Sequence, residues 1–237
     1  NGLNVMVGSS WTKSHWNQSY IGASHFADGL VQTLNAANKI DPGSTGTSAS
    51  DWAIMSTFAR LSYNYDSRYL VSANFRADGS SKLSPEHRWA FFPSVSAAWR
   101  ISGEHWMQDV SWIDDLKIRA GWGQTGNQGG VGDYGYLAMY GYSRQNWWET
   151  GKEHAVPTIY QQSLRNPDLT WERTTQTNVG IDWTMLHNRL SINFDWYYKY
   201  TTDMLMSVSL PAGSAAVSHI YRNEGEMSNM GVEFTIV

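Results

Sequence analysis

The chain has no cysteine, which excludes a disulfide framework and any thiolate metal site. Charge is scarce: 16% of residues are Asp, Glu, Lys or Arg, with a net charge of −4. A nucleic-acid binder needs a basic face to neutralise phosphates, so no nucleic-acid partner is expected. No stretch approaches the roughly 18 consecutive apolar residues of a transmembrane helix. The sequence opens at Asn1-Gly2-Leu3 with neither a basic nor an apolar leader segment, so no signal peptide is expected. No serine sits in a G-x-S-x-G elbow, and a hydrolase triad therefore has no anchor. The 7 histidines are scattered, without the i, i+4 helical pair or the close carboxylate cluster that zinc sites use. No cofactor, no metal and no enzymatic activity are expected.

Amphipathic rings are abundant instead, with 13 Trp and 13 Tyr against 7 Phe. Such rings gather where one end must be apolar and the other wet, as at membrane–water interfaces and sugar-binding surfaces. With 237 residues there is room for one large β domain or two ordinary ones.

Period-two alternation runs through the chain. Leu190, Ile192, Phe194, Trp196, Tyr198 and Tyr200 fall on one face; Ser191, Asn193, Asp195, Tyr197, Lys199 and Thr201 fall on the other. Just before them, Thr177, Val179, Ile181, Trp183 and Met185 oppose Gln176, Asn178, Gly180, Asp182 and Thr184. Similar runs occupy 69–76, 88–102 and 116–122, with weaker ones at 3–9, 57–65 and 231–237. That makes about eight strands, many near or above the roughly ten residues a tilted strand needs to cross hydrocarbon. A membrane strand is apolar only at alternate residues, so modest mean hydropathy is no obstacle.

The connections carry a second signal. Short links follow the second and sixth strands, at Asp66-Ser67 and around Leu186-His187-Asn188. The link after the fourth, 103–115, has room for a helical turn or two. After the first, third, fifth and seventh strands the links are mostly longer: about 30 residues from Tyr20, about ten around 79–86, about 40 from Gly126 and about 25 from Asp203. An up-and-down sheet puts alternate links at opposite ends. Tight turns at one end and long loops at the other is the construction of outer-membrane barrels, and a soluble sandwich has no reason to keep that parity. Tyr63, Tyr65 and Tyr69 would lie in the inner aromatic girdle, and Trp89, Trp122, Tyr198 and Tyr200 towards the outer one. The competing reading places these rings in an ordinary sandwich core.

Several stretches resemble one family. They are Arg68-Tyr-Leu-Val-Ser-Ala-Asn-Phe-Arg-Ala-Asp-Gly-Ser-Ser-Lys82, Arg88-Trp-Ala-Phe-Phe-Pro-Ser-Val-Ser-Ala-Ala-Trp-Arg-Ile101, Leu116-Lys-Ile-Arg-Ala-Gly-Trp-Gly-Gln-Thr-Gly-Asn127, Asn166-Pro-Asp-Leu-Thr-Trp-Glu172 and Asn223-Glu-Gly-Glu-Met-Ser-Asn-Met-Gly-Val-Glu233. In this order they resemble the SusC/RagA-type TonB-dependent outer-membrane transporters of Bacteroidetes, from about Asp51 onward; the first fifty residues match only in kind. The resemblance implies an all-β fold, an antiparallel up-and-down transmembrane β-barrel segment of about eight strands from a barrel of about 22. Residues 1–237 would be part of a TonB-dependent receptor barrel domain, without the plug domain or the remaining strands. It further implies import of glycans or peptides across the cell outer membrane, with outer-membrane lipid, a SusD-like lid lipoprotein and the TonB complex as partners.

Other motifs compete with that reading. Gly121-Trp122-Gly123-Gln124-Thr125-Gly126 matches G-x-G-x-x-G, yet dinucleotide chemistry needs a helix to open at the third glycine, and loop sequence follows. Asp182, Asp195 and Glu233 lie on polar faces, where paired carboxylates serve glycoside hydrolysis; beside Lys117, Arg119 and Lys199 they read better as lumen charge pairs. The link 126–168 is the expected place for ligand contact, through Tyr136, Tyr140, Trp147, Trp148 and Tyr160, because flat rings suit the C–H faces of sugars. The same rings equally suit an apolar cluster that orders a long loop or packs against the lid. In the first link the spacing of Phe26, Leu30, Leu34 and Ala37 suggests a helical turn that packs the loop down. The expected function is TonB-dependent import of oligosaccharides; the alternatives are import of peptides and a soluble β-rich carbohydrate-binding or glycosidase domain.

Overall fold

The computed structural model describes the chain apart from residues 27–28, 31, 149–154 and 214, and apart from the side chains of 42, 143–148 and 155–157. Eight long strands form one sheet: β1 (Gly2–Phe26), β2 (Ala37–Tyr65), β3 (Tyr69–Ser80), β4 (Trp89–Arg100), β5 (Ile113–Asn127), β8 (Glu172–Met185), β9 (Leu190–Thr202) and β12 (Met227–Ile236). Their spatial order is their chain order, and every neighbouring pair is antiparallel. Two small hairpins sit inside the long links: β6 (Tyr140–Trp148) with β7 (Ala155–Gln161), and β10 (Leu205–Ser209) with β11 (His219–Asn223).

The register turns the alternation into rows across the whole wall. Val5, Leu61, Ala73, Val95, Trp122, Thr177, Tyr198 and Met230 are successive ladder partners. One residue along, the row reads Met6, Arg60, Asn74, Ser94, Gly123, Gln176, Lys199 and Asn229. One face is therefore apolar and the other polar, as a membrane barrel requires. Extensive contacts of the long strands are with their ladder neighbours, and Val179, Ile181 and Phe194 on the apolar face remain exposed. No second sheet covers them among the described residues, so the sandwich reading and the soluble carbohydrate-binding alternative fall.

The short turns hold because their residues accept left-handed backbone. Asp66 and Ser67 have φ of 52° and 54°, and Arg68 N donates to Tyr65 O at 3.0 Å. Positive φ at both central residues matches the twist of the flanking strands. Leu186, His187 and Asn188 turn the same way, at φ 57°, 61° and 61°. The link after β4 begins with the 3-10 turns Ile101–Gly103 and His105–Met107, the second of them inside the link where a helical turn or two was expected.

The first link differs most from expectation. Rather than a loop of about 30 residues, β1 and β2 continue as a ladder in which Tyr20 faces Gly46 and Ser24 faces Lys39. Beyond the Ile54–Ser80 pair, β2 has no β3 partner, so this part is a two-stranded ribbon standing past the sheet. Both faces of such a ribbon can be wetted, and its Ser-, Thr- and Gly-rich sequence shows little alternation. Among the described residues of this link the one helical element is the 3-10 turn Leu34–Ala36, and Leu30 and Leu34, expected to pack the loop down, are exposed.

The buried core lies at the long-link end rather than within the sheet. Leu83, Ala90, Phe92, Val131, Leu169 and Trp171 form it, with Ile54, Tyr136, Leu205 and Tyr221 packed around. Above Ser94–Gly123 the β4–β5 pairing stops. The top of β5 there closes onto β4: an ideal Cβ on Gly126 would stand 2.1 Å from the Phe92 ring, and Phe92 packs edge-on against Trp171 at 5.6 Å. The long links thus fold in against the polar face.

Candidate ligand-binding site at the long-link end

Charge on the polar face is paired across three strands. Lys117 Nζ lies 2.8 Å from Asp182, and Arg119 bridges Asp182 at 3.1 Å and Asp195 at 2.6 Å. Gly180 permits this reach: a Cβ there would come within 2.4 Å of Asp195 Oδ1 and 2.9 Å of the Arg119 guanidinium carbon. Asp182 and Asp195 share one arginine, and Glu233 is the ladder partner of Asp195. This is a charge ladder in a wall, not an acid–base pair aimed at a cleft.

At the long-link end, side-chain amides tie the loops together. Asn223 Nδ2 donates to Thr170 O at 2.8 Å and to Asp203 O at 2.9 Å, while its Oδ1 accepts from Thr170 N at 2.9 Å. Asn166 Nδ2 donates to Tyr221 O at 2.7 Å. Glu172 accepts from Asn127 Nδ2 at 3.0 Å. Trp171 Nε1 donates to Arg88 O at 2.8 Å, giving a buried ring its polar partner. The stretch 166–172, noted in the sequence only for its resemblance, is the strap that draws the links after β3, β5 and β9 together.

The fifth link also docks on the ribbon. Asp133 accepts from the Ser50 hydroxyl and pairs with Lys82 at 2.9 Å; Lys82 lies over the Trp52 ring at 5.4 Å. Burial alone would raise the Asp133 carboxyl, but the Ser50 hydroxyl and Lys82 ammonium outweigh it and hold the group below its usual range.

The five residues expected to contact ligand do not form one cluster. Tyr136 packs against the apolar core. Tyr140 and Tyr160 are exposed on the β6–β7 hairpin, with Tyr140 facing Gln161 and Gly141 facing Tyr160. Adjacent cross-strand pairs put their side chains on opposite faces, so these two rings point apart. Trp147 and Trp148 end β6, where their backbones pair with Val156 and Ala155; their side chains lie outside the described residues. The G-x-G-x-x-G run is a segment of β5 in antiparallel ladder with β8, with no helix after it among the described residues, which overturns the nucleotide reading.

Sequence reasoning missed a recess of about 460 Å³ between the polar face of β3–β4 and the top of β5. Asn74, Arg76, Ser94, Asn127 and Gln128 line it together with the rings of Phe92 and Trp171. No local pattern announces it, because its walls come from four strands, β2 to β5, and from both ends of the link after β5.

A single antiparallel wall, apolar on one face and polar on the other, with tight turns at one end and folded links at the other, is the wall of an outer-membrane β-barrel. The family described as TonB dependent receptor-like, beta-barrel, matches residues 2–237, and the chain belongs to it. A TonB-dependent receptor of Formosa agariphila is 34% identical over 231 residues, covering 98% of this chain and 21% of that receptor. TonB-dependent receptor SusC of Bacteroides thetaiotaomicron is 32% identical over 248 residues, covering all of this chain and 23% of SusC. Among solved structures, the RagAB peptide transporter superposes with a TM-score of 0.82 at 28% identity, over 99% of this chain and 25% of that one. The chain therefore spans about a quarter of the relatives it matches. The resemblance to SusC and RagA read from the sequence is upheld, and the relatives are receptors and transporters rather than enzymes.

Proposed function

We propose that this wall section belongs to a transporter that imports an oligosaccharide across the outer membrane, with energy relayed by TonB and a SusD-like lipoprotein over the mouth. Residues 1–237 form part of a larger barrel domain of about 22 strands. Among the described residues the outer edges of β1 and β12 have no ladder partner, and hydrocarbon tolerates such edges only when further strands close the wall. No bond is broken in this function; ligand is held at the outer end and passed along the polar face.

The observation that carries the reading is the division of labour at the long-link end. The links spend Tyr136, Leu169 and Trp171 on ordering themselves and leave Tyr140 and Tyr160 exposed on a projecting hairpin. Exposed, flat and amphipathic rings suit sugar faces. Peptide cargo is the second reading, favoured by the likeness to the RagAB peptide transporter.

The test is affinity of the intact transporter–lipoprotein pair for a panel of oligosaccharides and a panel of peptides. Oligosaccharide binding is expected, weakened several-fold by Tyr140→Ala with Tyr160→Ala, and by Trp147→Ala with Trp148→Ala. Binding of peptides alone transfers the assignment to the second reading.

A further inference from the structure

We infer that the recess beneath the folded links is a binding subsite for an uncharged, hydroxyl-rich segment of the ligand; this rests on the oligosaccharide reading above and adds a place and a charge class to it.

Position comes first. Asn74, Arg76 and Asp78 follow one another along β3 on the polar face, and Asp78 pairs with Ala90 one step before the Gly79–Trp89 pair. That pair lies at the Trp89 end of the wall, where the outer girdle belongs. The recess thus sits at the outer mouth, and a solute entering from outside reaches it before the Lys117–Arg119–Asp182–Asp195 ladder. It is also a crevice between two layers rather than a stretch of flat wall, since the top of β5 closes onto Phe92. Its volume, about 460 Å³, is in the range of small-ligand sites.

The chemistry sets the class. The lining supplies the Gln128 amide, the Asn74 amide and Ser94 hydroxyl, which are bonded to each other at 3.1 Å, and the Asn127 amide, whose Nδ2 is held by Glu172; amides and hydroxyls have further capacity to donate to and accept from sugar hydroxyls. Gln128 Oε1 is buried and has no hydrogen-bond partner among the described residues. A buried acceptor left unmet is costly, and a donor from a ligand would relieve it. Among the described lining residues the one cation is already neutralised: Arg76 Nε lies 2.8 Å from both oxygens of Asp78, and its Nη2 is 2.8 Å from the Ser56 hydroxyl. Among the described lining residues an anionic ligand would find no uncompensated positive charge and a cationic one no uncompensated carboxylate; the Arg173 guanidinium lies 6.0 Å from the Phe92 ring centre but is not part of the lining. Phe92 and Trp171 are almost wholly buried, so the subsite reads hydroxyls rather than stacking on sugar faces.

The experiment uses the intact transporter–lipoprotein pair and calorimetric titration with neutral oligosaccharides, with uronate-containing oligosaccharides of the same length, and with peptides. Two variants are compared with the natural protein: Gln128→Ala, which removes the orphan acceptor, and Ser94→Phe, which fills the recess. Heat-modifiable migration on gels reports folding of each. The expected result is tighter binding of neutral than of uronate chains by the natural protein. Gln128→Ala should weaken neutral binding roughly three- to tenfold, the scale of one hydrogen bond, and Ser94→Phe should weaken it more. If Ser94→Phe fails to fold, Gln128→Ala decides alone. Unchanged neutral-glycan affinity in the folded variants overturns the subsite while leaving glycan import standing. Lowered thermal stability with unchanged affinity does the same and identifies another segment of the transporter as the occupant. Equal or tighter binding of uronate chains overturns the charge class. A natural protein that binds only peptides removes the underlying reading, and the subsite with it.

Discussion

Glu104 shows how a single side chain can organise the tight-turn end. Tyr69 and Trp99 are ladder partners in an outward row, stacked at 6.4 Å, where interfacial rings keep their polar ends towards water. Both polar ends meet one carboxylate: Tyr69 Oη donates to Glu104 at 2.6 Å and Trp99 Nε1 at 3.0 Å. Arg68 completes the set at 3.0 Å. The Tyr69 and Trp99 hydrogen bonds, reinforced by the Arg68 charge, hold the Glu104 carboxyl below its ordinary range despite its desolvation. A group whose pKa is lower folded than unfolded adds stability above the unfolded value and loses it as pH falls through the folded one. The link after β4 is therefore expected to loosen in acid, at a pH below the usual glutamate titration. Thermal melts of the full barrel in detergent, from about pH 7 to about pH 3, should show this loss in the natural protein. Glu104→Gln should start lower at neutral pH and lose its share of the slope. A variant whose melting temperature tracks pH as the natural protein's does would remove Glu104 as the titrating group.

At the scale of elements, the links at the open end behave as one folded unit because amide side chains replace the missing ladder. Asn223 ends β11 yet bonds to Thr170 in both directions and to Asp203 O. Removing it leaves two carbonyls and an N–H without these partners, and each buried group so orphaned costs about 1–3 kcal/mol. Asn223→Ala should raise amide exchange in 166–171 and 203–226 by about tenfold or more while leaving β8 and β9 protected. Exchange rising equally throughout the wall would show global destabilisation instead. These contacts mark the limit of what sequence alone reveals. Strand parity and turn positions were legible because alternation and left-handed turn residues are local signals: Asp66, Ser67 and Leu186–Asn188 turn where the pattern breaks. The β1–β2 ribbon was not, since wet faces carry no apolar period. Nor was the fate of the rings in the fifth link. Tyr136 and Tyr140 are four residues apart in similar surroundings, and only the fold of the link against Phe92 makes one core and the other surface. The recess depends on residues from 54 to 171 meeting, which no spacing encodes.

The whole molecule turns one repeated two-residue pattern into a boundary between two solvents. On β3 and β4 the tight-turn girdle row is Tyr69–Trp99 and the opposite row is Gly79–Trp89, about ten residues apart. At about 3.3 Å per residue this is roughly 33 Å of strand. Tilted by about 40–45°, it spans roughly the 25 Å height of an outer-membrane apolar band. Val95 and Ser96 are neighbours near the middle of that interval. Val95 belongs to the apolar row with Ala73 and Trp122; Ser96 belongs to the polar row with Ser72 and Gly121. Depth is therefore nearly equal, and only the side differs. An arginine facing lipid near the midplane costs about 2–4 kcal/mol, whereas a lumen residue is already in a polar setting. In the complete barrel, urea titrations in lipid vesicles should place Val95→Arg below the natural protein by about that much, and Ser96→Arg within about 1 kcal/mol of it. Equal penalties at the two positions would mean that both faces meet the same medium. In that case these strands would not be a membrane wall, whatever their relatives are.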